Sequence, residues 1–426
     1  MEKAKEAVDN LYSFRDHYFE KFPLEKAIDK NDDVKTEMTK TVQVLEGLKD
    51  EITNKAIYHM LRGRALNVLP TFDPLAEEAL SKAVKLDPKL VDAWNELGES
   101  YWKKGEVPAA KNCFVGALGH VKNKVSLRNL SMVLKQLSGS PSDKLKMIEE
   151  SVEKAKDAVQ LDIHDGTSWL VLGNAYLSLF FAAGQNPKSL KQSMSAYLQA
   201  EKDSVAKNNP DLHFNRSVAF KYEEDYQAAV DGFSMASKLD PTWTEPGEHE
   251  KNLMSYLTNL RDLTEQKGKI KDKKIKALVQ TIKDVDLGPY AGGKYTGPSG
   301  KTINLVQCKF CDLKPQLNAE KVILGKVVCT VQSYEPVPFS FCMVDDDEQC
   351  LPVNVYNLSQ GSGVKIGDSV SIPEPYLQTI KVSHKDVNLN FNSIRVNSPL
   401  VLVVNGKKLG IEKQAPSVLA VSAVSQ

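Results

Sequence analysis

The feature that most constrains the fold is a pattern of large and small residues that recurs from about Lys55 to Gln266. Its clearest copy is AWNELGESYWKKGEVPAAKNCFVGAL, from Ala93 to Leu118. The small residues Gly98, Ala110 and Ala117 let two antiparallel helices cross closely, while larger side chains fill the space around the crossing. The pattern therefore predicts a pair of packed helices joined by a short connection.

Further copies follow with a period of about 34 residues. A copy beginning SWLVLGNAY has its second helix behind an expected loop insertion, Phe180 to Lys188, which we expect to tolerate trimming. Another copy runs from Pro210 to Pro241, and the copy around Leu130 and Ser131 is degenerate. This is the tetratricopeptide signature, and the region resembles that family of helical solenoids, in which each unit buries its apolar face against its neighbours.

The apolar period changes after the basic stretch KGKIKDKKIK. Segments such as ILGKVVCTV and VKIGDSVSI have the β-branched composition of strands, separated by Asp, Gly and Pro turns. Their order resembles the five-stranded oligonucleotide/oligosaccharide-binding (OB) barrel. The predicted fold class is an α-helical tetratricopeptide-repeat solenoid followed by a C-terminal β-barrel domain of the OB-fold type. The predicted boundaries are capping helices at 1–54, five to six repeats at 55–266, a basic helix or linker at 267–287, the OB-fold-like domain at 288–412 and a flexible tail at 413–426.

Composition argues against several classes of protein. The 55 basic and 55 acidic side chains cancel, so contact with a polyanion must come from a local cluster. The charged N-terminus and the lack of a long apolar run predict a soluble intracellular protein without a membrane partner. Six cysteines, five of them from Cys308 onward, are too few for a disulfide framework.

Catalytic and metal motifs are weak. Cys308 and Cys311 form a CxxC without a second pair, whereas a structural zinc ion needs four ligands. The Gly-rich stretch LGPYAGGKYTGPSGK lacks the strand–loop–helix context of a phosphate-binding loop. The chain is therefore predicted to be a non-enzymatic protein without a cofactor. Four barrel aromatics are either core residues or stacking platforms for bases: Phe339, Phe341, Tyr356 and Phe391.

The basic segment, Lys267 to Lys276, holds six lysines and one aspartate. A charge run of this kind is usually a solvated helix face. Because Asp272 alone cannot neutralise the lysines, a polyanion such as ribosomal RNA is the alternative, bound through its phosphates. The candidate phosphate contacts are Lys269, Lys271, Lys273 and Lys274.

Along nearly its whole length the chain resembles the tetratricopeptide repeat protein 5 family, through LYSFRDHYFE, RALNV, KVSLRNLSMVLKQL and IGDSVSIPEP. The resemblance implies an adaptor that recognises the N-terminal peptide of nascent tubulin at the ribosome and triggers tubulin mRNA decay through an effector of unknown identity. It also implies that Lys271 and Lys273 face the ribosome. Alternatively, it implies a nuclear stress-responsive cofactor of a histone acetyltransferase and other transcription cofactors, with DNA or chromatin contact through the OB fold. Both cytoplasm and nucleus are expected.

Repeat positions predict which side chains face the concave groove. Asp211 and Glu245 lie 34 residues apart and take the same position in successive units. Arg128, Met132 and Lys135 are assigned to the opposite wall, which is therefore basic. Two amides, Asn174 and Asn215, can hold a peptide backbone through both N–H and C=O groups.

Such a groove suits a peptide with a cation beside an anion, and a tubulin Met-Arg-Glu N-terminus has that order. Its arginine would pair with Asp211 and Glu245, and its glutamate with Lys135. The alternative is that these are ordinary solvated charges. A clamp for a C-terminal carboxylate is disfavoured, because Leu170 stands where that clamp needs lysine.

Overall fold

The computed structural model describes residues 1–296, 300, 302–333 and 337–415, which form two compact units. The first comprises residues 1–219 and 232–246, and the second comprises Phe220–Asp231 and the described residues from Gly247 onward. Most of the predicted tail, 413–426, lies outside the described residues. Within the described part of the chain, no helix is long and apolar enough to cross a membrane.

Helices dominate the chain up to the basic segment. Consecutive helices pack in pairs, α4 with α5, α6 with α7, α8 with α9 and α10 with α11, as the repeat pattern predicts. The helices are α1 (Glu2–Asp16), α2 (Tyr18–Lys21), α3 (Lys30–Gly47), α4 (Lys55–Leu66), α5 (Pro74–Leu86), α6 (Val91–Lys103), α7 (Val107–His120), α8 (Lys124–Leu134), α9 (Pro141–Leu161), α10 (Gly166–Ala182), α11 (Pro187–Ala200), α12 (Ser204–Lys207), α13 (Pro210–Tyr222), α14 (Tyr226–Leu239), α15 (Thr244–Glu265) and α16 (Asp272–Val279).

Close helix crossings explain the small residues of the pattern. A Cβ atom added to Gly98 would lie 2.6 Å from a ring carbon of Phe114, and one added to Gly173 would lie 2.5 Å from the ring of Tyr197. The degenerate unit solves the same problem with hydroxyls, because Ser131 Oγ lies 2.9 Å from Ser151 Oγ between α8 and α9. Each crossing therefore pairs a small residue with a specific neighbour.

The expected loop insertion at Phe180 to Lys188 is largely helical, which corrects the prediction that it can be trimmed freely. Helix α10 continues to Ala182, and Phe180 is only 1% exposed. The connection to α11 is the short stretch 183–186, where Gly184 and Gln185 have positive φ angles. The apolar residues of the insertion extend the helix because burying them stabilises the unit.

The second unit contains a barrel. Strands β5, β6, β7, β10 and β9 are hydrogen-bonded in that order, and β8 pairs with β5. Because β8 and β9 follow one another around Pro375, they act as one bent strand that closes the barrel. The strands are β1 (Lys294–Thr296), β2 (Thr302–Asn304), β3 (Val306–Gln307), β4 (Gln316–Leu317), β5 (Lys321–Val331), β6 (Phe339–Val344), β7 (Cys350–Val355), β8 (Ser369–Pro373), β9 (Tyr376–His384), β10 (Val387–Val396), β11 (Val403–Val404) and β12 (Lys407–Lys408).

The barrel interior is filled by inward-facing side chains of these strands, including Phe341, Met343 and Val353, all fully buried. Phe341 is therefore a core residue, and Tyr356 is also buried. The acidic stretch after β6 forms the hairpin to β7. Together, the solenoid and this barrel confirm the predicted fold class.

Candidate functional site

The groove is a cavity of about 680 Å³ on the helical array, within the first unit. Its walls come from α6 to α10, α13 and the start of α15, so several repeats contribute to one surface. Five of the six predicted groove residues line it together: Lys135, Asn174, Asp211, Asn215 and Glu245. The repeat phase therefore brings these side chains into one cavity.

Two carboxylates lie at helix N-termini on one side of the groove. Asp211 is in the first turn of α13 and Glu245 in the first turn of α15, where the helix dipole favours negative charge. Burial raises the pKa of Asp211, although nearby Lys135 acts to lower it. Glu245 Oε2 accepts a hydrogen bond of 3.2 Å from Trp243 Nε1. This side of the groove is suited to a cationic group.

Lys135 caps the C-terminal end of α8. Burial lowers its pKa to about 8, and the attraction of Asp211 only partly opposes this effect. An ammonium group that is costly to keep charged gains most from a new anionic neighbour, because the neighbour offsets the lost hydration. An acidic side chain placed beside Lys135 would therefore favour its charged form and raise its pKa.

The two amides are held by their neighbours. Asn174 Oδ1 accepts a hydrogen bond of 2.8 Å from the Tyr197 hydroxyl, and Asn215 Nδ2 donates one of 2.9 Å to the Asp211 carbonyl. The groups left to meet a peptide are the Nδ2 donor of Asn174 and the Oδ1 acceptor of Asn215. This pairing matches the carbonyl and N–H of an extended backbone.

Arg128 is placed elsewhere, contrary to the predicted basic wall. Its Nη1 lies 3.0 Å from Asp165 Oδ2, and Lys124 lies 3.9 Å from the same carboxylate. Arg128 therefore ties α8 to the start of α10. Lys144, which the repeat positions did not single out, lines the groove and gives its wall a second cation.

Aromatic side chains are the part of the groove that repeat positions did not predict. Phe181, Phe214 and Trp243 line the cavity, and the rings of Phe214 and Trp243 are 4.7 Å apart. The available signal was the phase of Phe214, three residues after Asp211 on the same helix face. These rings give the groove apolar surface beside its charges, which suits a peptide with an apolar flank.

The basic segment is fixed to the barrel. It forms a short 3-10 turn (Lys267–Lys269) followed by α16, and Ile275 of α16 is fully buried. Gly268 has φ +67, and a Cβ there would lie 2.8 Å from the Val328 carbonyl. The four candidate lysines Lys269, Lys271, Lys273 and Lys274 are all exposed. These lysines are therefore exposed on a segment that is packed against the barrel.

The single CxxC motif, Cys308 and Cys311, lies in the segment that follows β3. Cys308 follows β3, and Cys311 is exposed in a 3-10 turn (Phe310–Asp312). Across residues 1–296, 300, 302–333 and 337–415, no group of three or more His, Cys, Asp or Glu side chains is arranged to hold a metal ion.

Repeated helix pairs lining a groove, with an OB-fold barrel after them, define a tetratricopeptide-repeat interaction scaffold. Residues 304–418 match the family described as the tetratricopeptide repeat protein 5 OB fold domain. Over 99% of its length, the chain is 51% identical to Tetratricopeptide repeat protein 5 of Homo sapiens and 50% identical to that of Mus musculus, covering 96% of each. The chain belongs to the tetratricopeptide repeat protein 5 family.

Solved structures resemble the chain only in part. One is YrrB, described as a tetratricopeptide-repeat protein with an unusual peptide-binding site. It is 20% identical, covers 49% of this chain and 99% of its own, and has a TM-score of 0.32. At that TM-score the likeness says nothing about the groove described above.

Proposed function

We propose that this protein is a non-enzymatic adaptor that recognises the N-terminal peptide of nascent tubulin at the ribosome and triggers tubulin mRNA decay. In this role the groove binds the peptide, the basic segment contacts ribosomal RNA phosphates, and a separate effector degrades the message. The setting is the cytoplasm. The nuclear role with a histone acetyltransferase stays a prediction from the family resemblance.

The observation that carries the proposal is the placement of opposite charges around one cavity. Asp211 and Glu245 offer anions to a peptide arginine, while Lys135 offers a desolvated cation to the adjacent glutamate. A Met-Arg-Glu sequence presents those two charges side by side, with an apolar methionine for the aromatic rings. Charge order, more than net charge, is therefore expected to determine binding.

Charge reversal tests this proposal. Asp211→Lys and Glu245→Lys should each weaken binding of a Met-Arg-Glu peptide at least a hundredfold, because they repel its arginine. Glu153→Lys is the matched control, since Glu153 is an exposed carboxylate on α9 that does not line the groove. Titration calorimetry measures affinity, and circular dichroism checks that helix content is kept.

A peptide with the two charges exchanged, Met-Glu-Arg, provides the complementary control. The wild-type protein should bind it far more weakly than Met-Arg-Glu. Equal affinity for both peptides, or binding that survives both charge reversals, would show that the groove does not read this motif.

A further inference from the structure

The outward side of three barrel strands is covered by helical segments of the same unit. We use the term barrel face for Ser340 and Cys342 of β6, Asn354 of β7, Tyr356 just after it, and Arg395 of β10. The strand register places Ser340 opposite Asn354, and Asn354 beside Arg395. In OB folds, the second and third strands, here β6 and β7, form the surface that binds oligonucleotides.

Helix α15 contacts the centre of the barrel face. The Tyr256 hydroxyl lies 2.8 Å from Ser340 Oγ and donates to Asn354 Oδ1 at 3.0 Å. Further along the same helix, Thr264 Oγ1 lies 3.6 Å from Cys342 Sγ. Tyr256, Ser340 and Asn354 are all buried, so water has been removed from this contact.

The turn between α13 and α14 covers the next part of the face. Glu224 Oε1 accepts hydrogen bonds from the Tyr356 hydroxyl at 2.9 Å and from Asn354 Nδ2 at 3.1 Å. Arg395 donates to the Tyr222 carbonyl at 2.7 Å, and its guanidinium lies 4.0 Å from the centre of the Tyr356 ring. The arginine and the aromatic ring that a base would need for stacking are therefore already stacked on each other.

The rim of the contact is also paired. Glu250 Oε1 lies 2.8 Å from His384 Nε2 and 2.6 Å from Lys385 Nζ, at the hairpin between β9 and β10. On the other helical segment, Gln227 Oε1 accepts from the Ser383 backbone N–H at 2.8 Å. The helices thus contact β6, β7, β9 and β10 in one continuous surface.

We infer that Phe220–Asp231 and Gly247–Glu265 are a built-in protein ligand of the barrel, and that the barrel face holds this helical segment instead of single-stranded nucleic acid. The fit is specific, because Asn354, Tyr356 and Arg395 are each bonded to the helical segments. Within the described residues the contact is not fully paired, since Glu224 Oε2, the Tyr226 hydroxyl and Ser393 Oγ are buried without a hydrogen bond. A nucleic acid strand would have to replace all of these bonds with its own. Binding of nucleic acid by this protein then depends on the exposed lysines of the basic segment.

An engineered disulfide tests this inference in the full-length protein. Cys342 already has the thiols of Cys329 and Cys350 beside it, so both are replaced by serine in the parent protein. In that background Thr264→Cys places one thiol beside Cys342, and mild oxidation should fix α15 on the barrel face. Ser255→Cys is the control, because Ser255 is an exposed residue of the same helix. The probes are fluorescein-labelled 20-mers of deoxythymidine and of uridine, and anisotropy gives their affinities before and after oxidation. Mass spectrometry verifies the 264–342 link.

We expect the oxidised and reduced forms to have the same affinity within twofold, and Lys271→Glu with Lys273→Glu to remove most of the binding. Absence of measurable oligonucleotide binding in both the oxidised and the reduced protein would also support the inference. A tenfold or greater loss on oxidation would overturn the inference, because it would show that α15 must leave the face for an oligonucleotide to bind.

Hydrogen exchange gives a second test that needs no disulfide. Amides of β6, β7 and residues 250–264 should exchange at the same rates with and without the uridine 20-mer. Protection of β6 and β7 together with faster exchange in α15 would show displacement, and would overturn the inference. Tyr256→Phe should weaken the docking of α15 yet leave oligonucleotide affinity unchanged. An increase in affinity would also contradict the proposal.

Discussion

The groove and the barrel face are built from the same kinds of side chain, yet the pKa of the buried cation is shifted in opposite directions. In the groove, burial lowers the pKa of Lys135 to about 8, because its charge is only partly balanced by Asp211. At the barrel face, burial also acts to lower the pKa of Arg395, but Tyr356 and Glu224 outweigh it and leave the pKa raised. The burial of Lys135 is only partly offset by one carboxylate, whereas the burial of Arg395 is outweighed by several neighbours.

Under the proposed function, this difference separates a surface that binds a peptide from one that is already covered by helices of its own unit. Residue types do not distinguish them, since both contain aromatic rings, carboxylates and a long cation. What distinguishes them is the balance of charge around the buried cation, because Asp211 only partly offsets the burial of Lys135, whereas Tyr356 and Glu224 outweigh that of Arg395. Substitutions should therefore affect stability at the barrel face and affinity in the groove.

The largest expected effect is at the barrel face. Arg395→Ala leaves the buried carboxylate of Glu224 without its cation, which typically costs about 3–5 kcal/mol of unfolding free energy. Chemical denaturation of the full chain measures it, with Lys381→Ala as an exposed control on β9. Peptide affinity should stay unchanged. A stability loss below about 1 kcal/mol would mean that the face is not a buried contact in solution.

Two adjacent phenylalanines of the former insertion offer a matched test. Phe180 is buried, so Phe180→Ala should destabilise the protein by about 3–5 kcal/mol through the cavity it leaves. Phe181 lines the groove, so Phe181→Ala should lower peptide affinity about tenfold with a smaller effect on stability. Thermal unfolding and calorimetry separate the two effects. If both variants lose only stability, Phe181 has no part in peptide binding.

Peptide affinity should depend on pH through Lys135. With a free-site pKa of about 8, the ammonium form predominates at pH 7 and is the minor form at pH 9. Because the peptide glutamate binds the charged form and raises its pKa, affinity should fall about tenfold over this interval. Calorimetry at both pH values measures the change. Lys135→Arg should remove the dependence, since arginine stays charged throughout. A pH-dependent arginine variant would assign the effect to another group.

The effect with the least expected change in stability or groove affinity concerns the basic segment. Lys271→Glu with Lys273→Glu should release the protein from ribosomes and stop tubulin mRNA decay. It should also reduce the slope of log affinity against log salt by about 1.5, because each lost phosphate contact contributes about 0.7–0.9. Co-sedimentation at several salt concentrations measures it, and Lys3→Glu with Lys5→Glu is an exposed control. Groove affinity for the peptide should be unaffected. Normal sedimentation of the first variant would mean that the segment is only solvated.

Local spacing accounts for what the sequence predicted well. Gly98 and Gly173 mark helix crossings because each requirement involves a neighbour within the same repeat. Asp211 and Glu245 were found together because residues in equal repeat positions project to the same side. These predictions needed only the helical period and the repeat length.

The errors have a different physical origin. Arg128 was misplaced because its partner, Asp165, lies 37 residues away and draws the guanidinium out of the groove. Phe180 was assigned to a loop because no repeat position required the helix to continue, whereas its burial depends on tertiary packing. The barrel face was not predicted at all, since its bonds join residues as distant as Glu224 and Tyr356.

The hydrogen bond between Glu224 and Tyr356 restricts how these two positions can be substituted during evolution. A substitution of either residue alone removes a hydrogen bond from the other, buried one, and the two positions lie 132 residues apart in the chain. Recombination between them would join halves that had not been selected together. The barrel and the two helical segments that cover it are thus expected to be inherited together. A barrel exchanged between relatives should carry its own Phe220–Asp231 and Gly247–Glu265 to remain folded.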